Sequence, residues 1–240
     1  MIINGLQKLT LLDYPGHTAC TVFLGGCNMR CPFCHNAVLV IDAGNQPTVS
    51  EEEFFKFLDK RHGLLDGVAI TGGEPTMRSD LPEFIAKIKD KGFDVKLDTN
   101  GCYPEVLENL LRDKLVDYVA MDIKSSPESY AKTVGIDSFD LAPVRKSVDL
   151  LMKGNTTFEF RTTVVKELHT LEDIVSIGKW IQGAPQYFLQ LFKDNGGNLQ
   201  RGLNPWDEKT MHAFLEAVKP YVCHAAVRGM DLPLDTIYSF

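Results

Sequence analysis

The 240-residue chain has no run of about 18 consecutive apolar residues, so no segment reads as a membrane-spanning helix. Its first residues, MIINGLQKLT, lack the basic start and apolar core of a signal peptide. A cytoplasmic protein is expected. Positive charge is in short supply: 25 Lys and Arg against 32 Asp and Glu leave a net −7. That balance predicts neither a nucleic acid nor an anionic membrane as partner. Internal repeats, low-complexity stretches and Pro/Gly/Ser linkers are missing, and charge is spread along the chain. One domain over residues 1–240 is therefore expected. No P-loop and no Ser/His/Asp arrangement is apparent. What is present is 44% hydrophobic residues, too many for a disordered chain. A chain of this length buries roughly 70–75% of its unfolded surface and needs no staples.

Short apolar segments alternate with amphipathic ones. Strands are predicted over 18–24, 67–71, 94–98, 116–121, 157–164 and 187–192, with a last one over 222–227. Helices are predicted between them. Ser50 with Glu53 forms a capping box for a helix to Asp59. Ser79 caps a helix carrying Phe84, Ile85 and Ile88, and Pro104 starts one with Val106, Leu107, Leu110 and Leu111 facing inward. Further helices are predicted over 143–153, over 171–181 behind the cap Thr170, and over 205–219. The alternation argues for an α/β fold with a parallel sheet, either open and doubly wound or a (β/α) barrel. Chemistry in either gathers at the carboxyl ends of the strands. The segments from Gly25 to Cys34, from Gly72 to Pro75, from Thr99 to Gly101 and from Asp122 to Lys124 each follow a predicted strand. All should share one rim.

Three of the six cysteines fall within eight residues, in GGCNMRCPFCHN. Cys27, Cys31 and Cys34 have the spacing C-x3-C-x2-C, and in a reducing compartment a tight triplet points to a metal centre. The count of three matters. A structural zinc site has four ligands and is closed, whereas a [4Fe–4S] cluster on three cysteines leaves one iron open to a ligand. The competing readings are a Cys3His zinc knot, in which His35 directly follows Cys34 and is awkwardly placed to chelate the same ion, and a chance group of buried thiols. Cys20 and Cys223 read as core thiols, and Cys102 as a spectator beside a turn. His17, His62, His169, His212 and His224 show no mutual metal spacing and read as surface or packing residues.

The C-x3-C-x-aromatic-C pattern, with Phe33 in the aromatic slot, resembles the signature of radical S-adenosylmethionine enzymes. The resemblance implies a partial or near-complete barrel of six or seven parallel strands and one [4Fe–4S] cluster on Cys27, Cys31 and Cys34. It also implies S-adenosylmethionine bound to the open iron and cleaved by one electron to a 5′-deoxyadenosyl radical. TGGEPT at 71–76 is similar to the family's segment that holds the methionyl amine, a role that falls to Gly72, Gly73 and Glu74; alone it reads as a turn before a helix. LDTNG at 97–101 resembles the DTNG of glycyl-radical-enzyme activating proteins. That resemblance implies Asp98, Thr99 and Asn100 near the cofactor; alone the segment is a turn with Asn100-Gly101 supplying positive φ. MDIK at 121–124 matches a D-x-K of the same proteins. There Lys124 contacts the cofactor, and Asp122 joins Asp98 in a small polar or monovalent-cation site; alone, Asp122 and Lys124 make an ordinary exposed pair. Arg161 lies in an otherwise apolar strand and needs a partner, a cofactor carboxylate or an acid such as Glu159.

The opening NGLQKLTLLDYPGHTACTVFLGGCNMRCPFCHN resembles the anaerobic ribonucleoside-triphosphate reductase activating proteins, and pyruvate formate-lyase activating enzymes share much of it. The resemblance implies a radical enzyme that takes a hydrogen atom from a glycine of a partner glycyl radical enzyme, the anaerobic ribonucleotide reductase. It also implies a flavodoxin or ferredoxin-type electron donor. No acid/base side chain is then required beyond the cluster ligands. The alternatives are a radical enzyme acting on a small molecule, like the deazapurine synthases, and a non-enzymatic zinc or iron–sulfur module.

Overall fold

The computed structural model describes residues 1–230. Two short N-terminal strands, β1 (Ile2–Ile3) and β2 (Gly5–Thr10), precede β3 (Ala19–Leu24), α1 (Ala37–Ile41) and β4 (Val49–Ser50). The chain continues through α2 (Glu51–Asp59), β5 (Gly67–Gly72), α3 (Leu81–Asp90), β6 (Asp94–Thr99), α4 (Pro104–Arg112) and β7 (Tyr118–Asp122). It then forms α5 (Tyr130–Val134), α6 (Ala142–Lys153), β8 (Thr157–Val164), α7 (Leu171–Trp180), β9 (Tyr187–Leu191), α8 (Glu208–Val218) and β10 (Ala225–Arg228).

The main sheet has eight strands in the order β10-β9-β8-β7-β6-β5-β3-β2. The seven strands from β3 to β10 in that sheet are all parallel, and β2 adds an antiparallel edge beside β3. Strand order follows chain order without reversal, so there is no topological switch point of the doubly wound kind. This is a singly wound α/β sheet, and β10 and β2 are its two edges among the described residues. The expectation of a partial barrel with six or seven parallel strands is met.

Helix boundaries follow local chemistry. The Ser50 and Glu53 capping box is present, and a second one pairs Thr170 with Asp173. Two predicted starts move. The helix expected behind Ser79 begins behind Asp80, because a turn over Pro75–Met77 uses the preceding residues. The helix expected from Pro205 begins behind Asp207, whose carboxylate accepts from the Thr210 amide at 2.9 Å. The sequence reading missed β1, β2, β4, α1 and α5. β1, β4, α1 and α5 have two to five residues each, and β2 carries a register shift between Gln7 and Thr10 that breaks its alternation. Cys20 is buried in β3 as expected, but Cys223 is exposed and precedes β10, contrary to the core reading.

Side chains alternate across the sheet. Val95, Leu97, Val119, Met121, Phe158 and Phe160 are buried in the main core with helix residues such as Phe84, Leu107, Val148 and Ile174. The intervening positions on the other face are polar or small: Ala69, Lys96, Asp98, Ala120, Glu159 and Arg161. Toward the amino ends of the strands on this face, Glu159 is fully buried and accepts from Arg228 at 2.7 and 2.8 Å and from the Tyr118 hydroxyl at 2.7 Å. Arg228 also stacks over the Phe188 ring at 3.4 Å. This ties β10 across β9 to β8. Arg228→Met strips a buried carboxylate of its cation and is expected to cost about 3 kcal/mol, at the low end for such pairs because Arg228 is partly exposed. Chemical denaturation checks this; a loss below about 1 kcal/mol refutes the tie.

Candidate functional site

The loops after β3, β5, β6 and β7 meet at the carboxyl ends of the strands around one cavity of about 900 Å³, counting the space at its mouth. Every residue assigned to the site by sequence lines it: Cys27, Cys31, Cys34 and Phe33; Gly72, Gly73 and Glu74; Asp98, Thr99 and Asn100; Asp122, Lys124 and Arg161. Met29, Asn36, Thr163 and Gln190 also line it and were not singled out. Gln190 and Thr163 sit on β9 and β8 at matched register, where their place on the concave face is fixed by alternation.

The cysteine loop is held from several sides. The Gly26 amide donates to Leu39 in α1 at 2.8 Å, Arg30 N donates to Val134 O at 2.9 Å, and Gln200 N donates to Pro32 O at 2.9 Å. His35, weighed as a fourth ligand, is at the cavity, but its Nε2 lies 2.8 Å from the Lys193 carbonyl and its ring stacks on Phe192. Phe33 is buried and meets the His169 ring edge-on at 6.3 Å. His169 is itself buried, with Nε2 against the Lys124 carbonyl at 2.8 Å, so it is the packing residue expected. Burial pushes all three loop thiols up, Cys31 to about 12. Among the described residues no three His, Cys, Asp or Glu side chains gather closely enough to share a single ion. A cubane asks for a looser arrangement, because each thiolate takes a different iron. The donor set of three thiols on one cavity wall fits such a cluster.

The loop after β5 crosses the cysteine loop at van der Waals limit. A Cβ on Gly73 would stand 1.8 Å from the Gly26 carbonyl oxygen, and Gly72 adopts φ +128 with a Cβ position 2.2 Å from Leu24 O. Only glycine fits this crossing. It is sealed by Glu74 N donating to Gly26 O at 2.8 Å. The Glu74 carboxylate is 1% exposed. It accepts from Asn100 N at 2.6 Å, from Thr99 Oγ1 at 2.7 Å and from Thr76 N at 3.1 Å, and also from Thr76 Oγ1. Burial pushes Glu74 up and these donors oppose it. Its oxygens are therefore committed to the protein: it fastens the TGGEPT loop to the DTNG turn. In that turn Gly101 supplies the positive φ, and Asn100 does not.

An alternating line of charge, buried at Lys96 and part-buried beyond it, crosses this face of the sheet. Lys96 Nζ bonds Asp98; Asp98 Oδ2 meets Arg161 at 3.3 Å; Arg161 Nε donates to Asp122 at 2.9 Å; Lys124 Nζ donates to Asp122 at 3.0 Å. Register places Asp122 directly beside Arg161 on β8. This answers the question of Arg161's partner: it has two acids of its own, and Glu159 belongs to Arg228. Of the two sites weighed for Asp98 and Asp122, the structure shows the small polar one: the Arg161 guanidinium joins them and Lys96 and Lys124 flank them. Lys96, which is 1% exposed, went unremarked in the sequence. Burial alone would raise Asp122, but Arg161 and Lys124 outweigh it and hold the carboxyl at about 2. Arg161→Met removes the shared cation and is expected to destabilise the fold by about 3–5 kcal/mol near neutral pH. The Asp122 contribution is present above the ordinary carboxyl value near 4 and is lost as pH falls toward about 2. The gap between wild type and variant should thus narrow on acidification from about pH 5 to 3. Denaturant titrations at both pH values measure this, and a constant or widening gap refutes the ladder.

The Radical SAM superfamily model matches residues 21–180. A protein named as a glycyl-radical enzyme activating enzyme of Methanocaldococcus jannaschii is 36% identical over 236 residues, covering 96% of this chain and 97% of the relative. The pyruvate formate-lyase-activating enzyme of Listeria monocytogenes is 31% identical over 194 residues, covering 76% of this chain and 77% of the relative. Among solved structures, Streptococcus suis SuiB superposes with a TM-score of 0.68 at 14% identity, over 87% of this chain and 48% of SuiB. A domain of a Bacteroides vulgatus pyruvate-formate lyase-activating enzyme gives 0.57 at 14% identity, over 68% of this chain and 99% of that domain. These structures share the fold. The matched span holds the cysteine loop, the crossing glycines and the charge ladder, and with the length of the archaeal match it establishes that the chain belongs to the radical S-adenosylmethionine superfamily, within its glycyl-radical-enzyme activating family.

Proposed function

We propose that this protein activates a glycyl radical enzyme, and that its partner is the anaerobic ribonucleoside-triphosphate reductase. The family implies a [4Fe–4S] cluster and S-adenosylmethionine; together these supply a 5′-deoxyadenosyl radical able to take a glycine Cα hydrogen. The observation that carries the reading is the convergence of three thiols, Phe33 and the part-buried Lys124 on one cavity. Cys27, Cys31 and Cys34 hold the cluster. Lys124, kept charged by Asp122, offers an ammonium to the cofactor's carboxylate. Gly72 and Gly73 let the cofactor approach the backbone without side chains in the way. Glu74 acts at one remove, by locking the DTNG turn against the loop that crosses the cysteines.

Among the described residues, the carboxylates that line the cavity, Asp98, Asp122 and Glu74, all have partners within the protein. That suits hydrogen-atom transfer from a backbone carbon, where the protein's part is orientation and exclusion of water. The choice of target is supported by the resemblance of the opening, with its LLDYPG segment, to the anaerobic ribonucleoside-triphosphate reductase activating proteins.

The test is anaerobic reconstitution with iron and sulfide, reduction, and addition of S-adenosylmethionine, with 5′-deoxyadenosine as readout. Cleavage is expected in wild type and absent in Cys27→Ala, Cys31→Ala and Cys34→Ala; wild-type cleavage in any one of them removes that cysteine from the ligand set. Incubation with the anaerobic ribonucleotide reductase of the same organism is expected to raise a glycyl radical signal by electron paramagnetic resonance. A signal on pyruvate formate-lyase instead, with none on the reductase, overturns the choice of partner.

A further inference from the structure

Asn100 has a place in the site that cofactor binding does not account for. Its backbone amide is spent on Glu74 Oε2 at 2.6 Å. Its side-chain oxygen accepts from the Cys102 amide at 3.0 Å. That bond fixes which end of the carboxamide is which, and it turns the NH2 group toward the cysteine loop. There Nδ2 donates to Asn28 Oδ1 at 2.9 Å and reaches Cys27 Sγ at 3.9 Å. An NH2 group has two hydrogens, so one serves Asn28 and the other faces the sulfur. The Met29 amide adds a second donor to the same sulfur at 3.4 Å. Among the described residues, Cys27 alone of the three loop cysteines receives a side-chain N–H. The residue is 5% exposed, so water competes little for the contact.

We infer that Asn100 sets the reduction potential of the cluster by donating its side-chain N–H to the sulfur of Cys27. This rests on the reading above that Cys27 is a cluster ligand. The physics is direct. Reduction places an extra electron on the cluster and raises the negative charge on its sulfurs. A fixed N–H dipole aimed at a ligand sulfur stabilises that charge and makes reduction easier. The backbone donor from Met29 is part of the loop and is present for any side chain there. The donor from Asn100 is the one that a substitution can remove. It comes from a different strand end, and Glu74 holds it in place. The turn after β6 thereby bears on the electronics of the loop after β3.

The experiment is a potentiometric titration of the reconstituted cluster without S-adenosylmethionine, followed by electron paramagnetic resonance of the reduced form. Two variants are used. Asn100→Ser keeps a short hydroxyl that accepts from the Cys102 amide as in other turns of this kind, but it does not reach Cys27. Asn100→Ala removes both bonds. Both are expected to shift the midpoint to a more negative potential. At the wild-type midpoint the reduced-to-oxidised ratio should fall roughly tenfold, equivalent to about 59 mV for a one-electron couple. A midpoint in Asn100→Ser that equals or exceeds the wild-type value overturns the inference. So does failure of both variants to hold a cluster when the wild type does, since Asn100 would then be scaffold. If the wild type itself takes up no iron and sulfide, it is the ligand reading of Cys27, Cys31 and Cys34 that falls.

Discussion

The buried Glu74 carboxylate is the joint on which the rest of the rim depends. A carboxylate taken out of water is costly unless donors surround it, and here they come from two loops that are far apart in sequence. Thr76 belongs to its own loop, Thr99 and Asn100 to the turn after β6. One residue back, Gly73 lies against Gly26 so closely that no side chain fits between them. The loops after β3, β5 and β6 are therefore one object. Loosening any one of them changes the attitude of the cysteines.

The concave face shows a second use of buried charge. Seven parallel strands bury one face under helices, and that face is mainly apolar. The other face is also largely closed, yet it carries Lys96, Asp98, Arg161, Asp122 and Lys124 in alternating sign. Alternation is what makes such a row tolerable, because each acid lies between two cations and none is left alone. The row ends at Lys124, whose Nζ lines the cavity near the thiols. As an end member, Lys124 has a charged neighbour in the row on one side only. The Lys124 backbone is fixed in turn by His169 at 2.8 Å and by the Tyr130 hydroxyl at 3.3 Å.

The cysteine loop itself has little regular structure, and its order comes from its neighbours. Val134 at the end of α5, Leu39 in α1 and Gln200 in the segment after β9 each meet it through a backbone bond. Gly135, left-handed at φ +70, passes so near Arg30 O that a Cβ there would clash at 2.4 Å. A loop shaped by so many separate contacts is pre-organised, which lowers the cost of ordering it when a cofactor binds.

The sequence by itself determined the strand–helix alternation, the capping box at Ser50 and the cap at Thr170, the glycine-rich and acidic motifs at strand ends, and the spacing of Cys27, Cys31 and Cys34. These are local properties: period, cap chemistry and short spacing are all carried within a dozen residues. Tertiary structure decided everything that depends on which strands are neighbours. It chose a singly wound sheet over a doubly wound one, since both share the same local pattern. It gave Arg161 to Asp98 and Asp122 and left Glu159 to Arg228, because register across β6, β7, β8, β9 and β10 sets those pairings. It showed that Glu74 and Asn100, both at the cavity, also bond within the protein, one fastening a turn and the other reaching a cysteine sulfur. It also exposed Lys96, a lysine in a strand that no motif marks. A hydrogen bond between residues 73 positions apart leaves no trace in either local segment, and only the folded chain brings its two ends together.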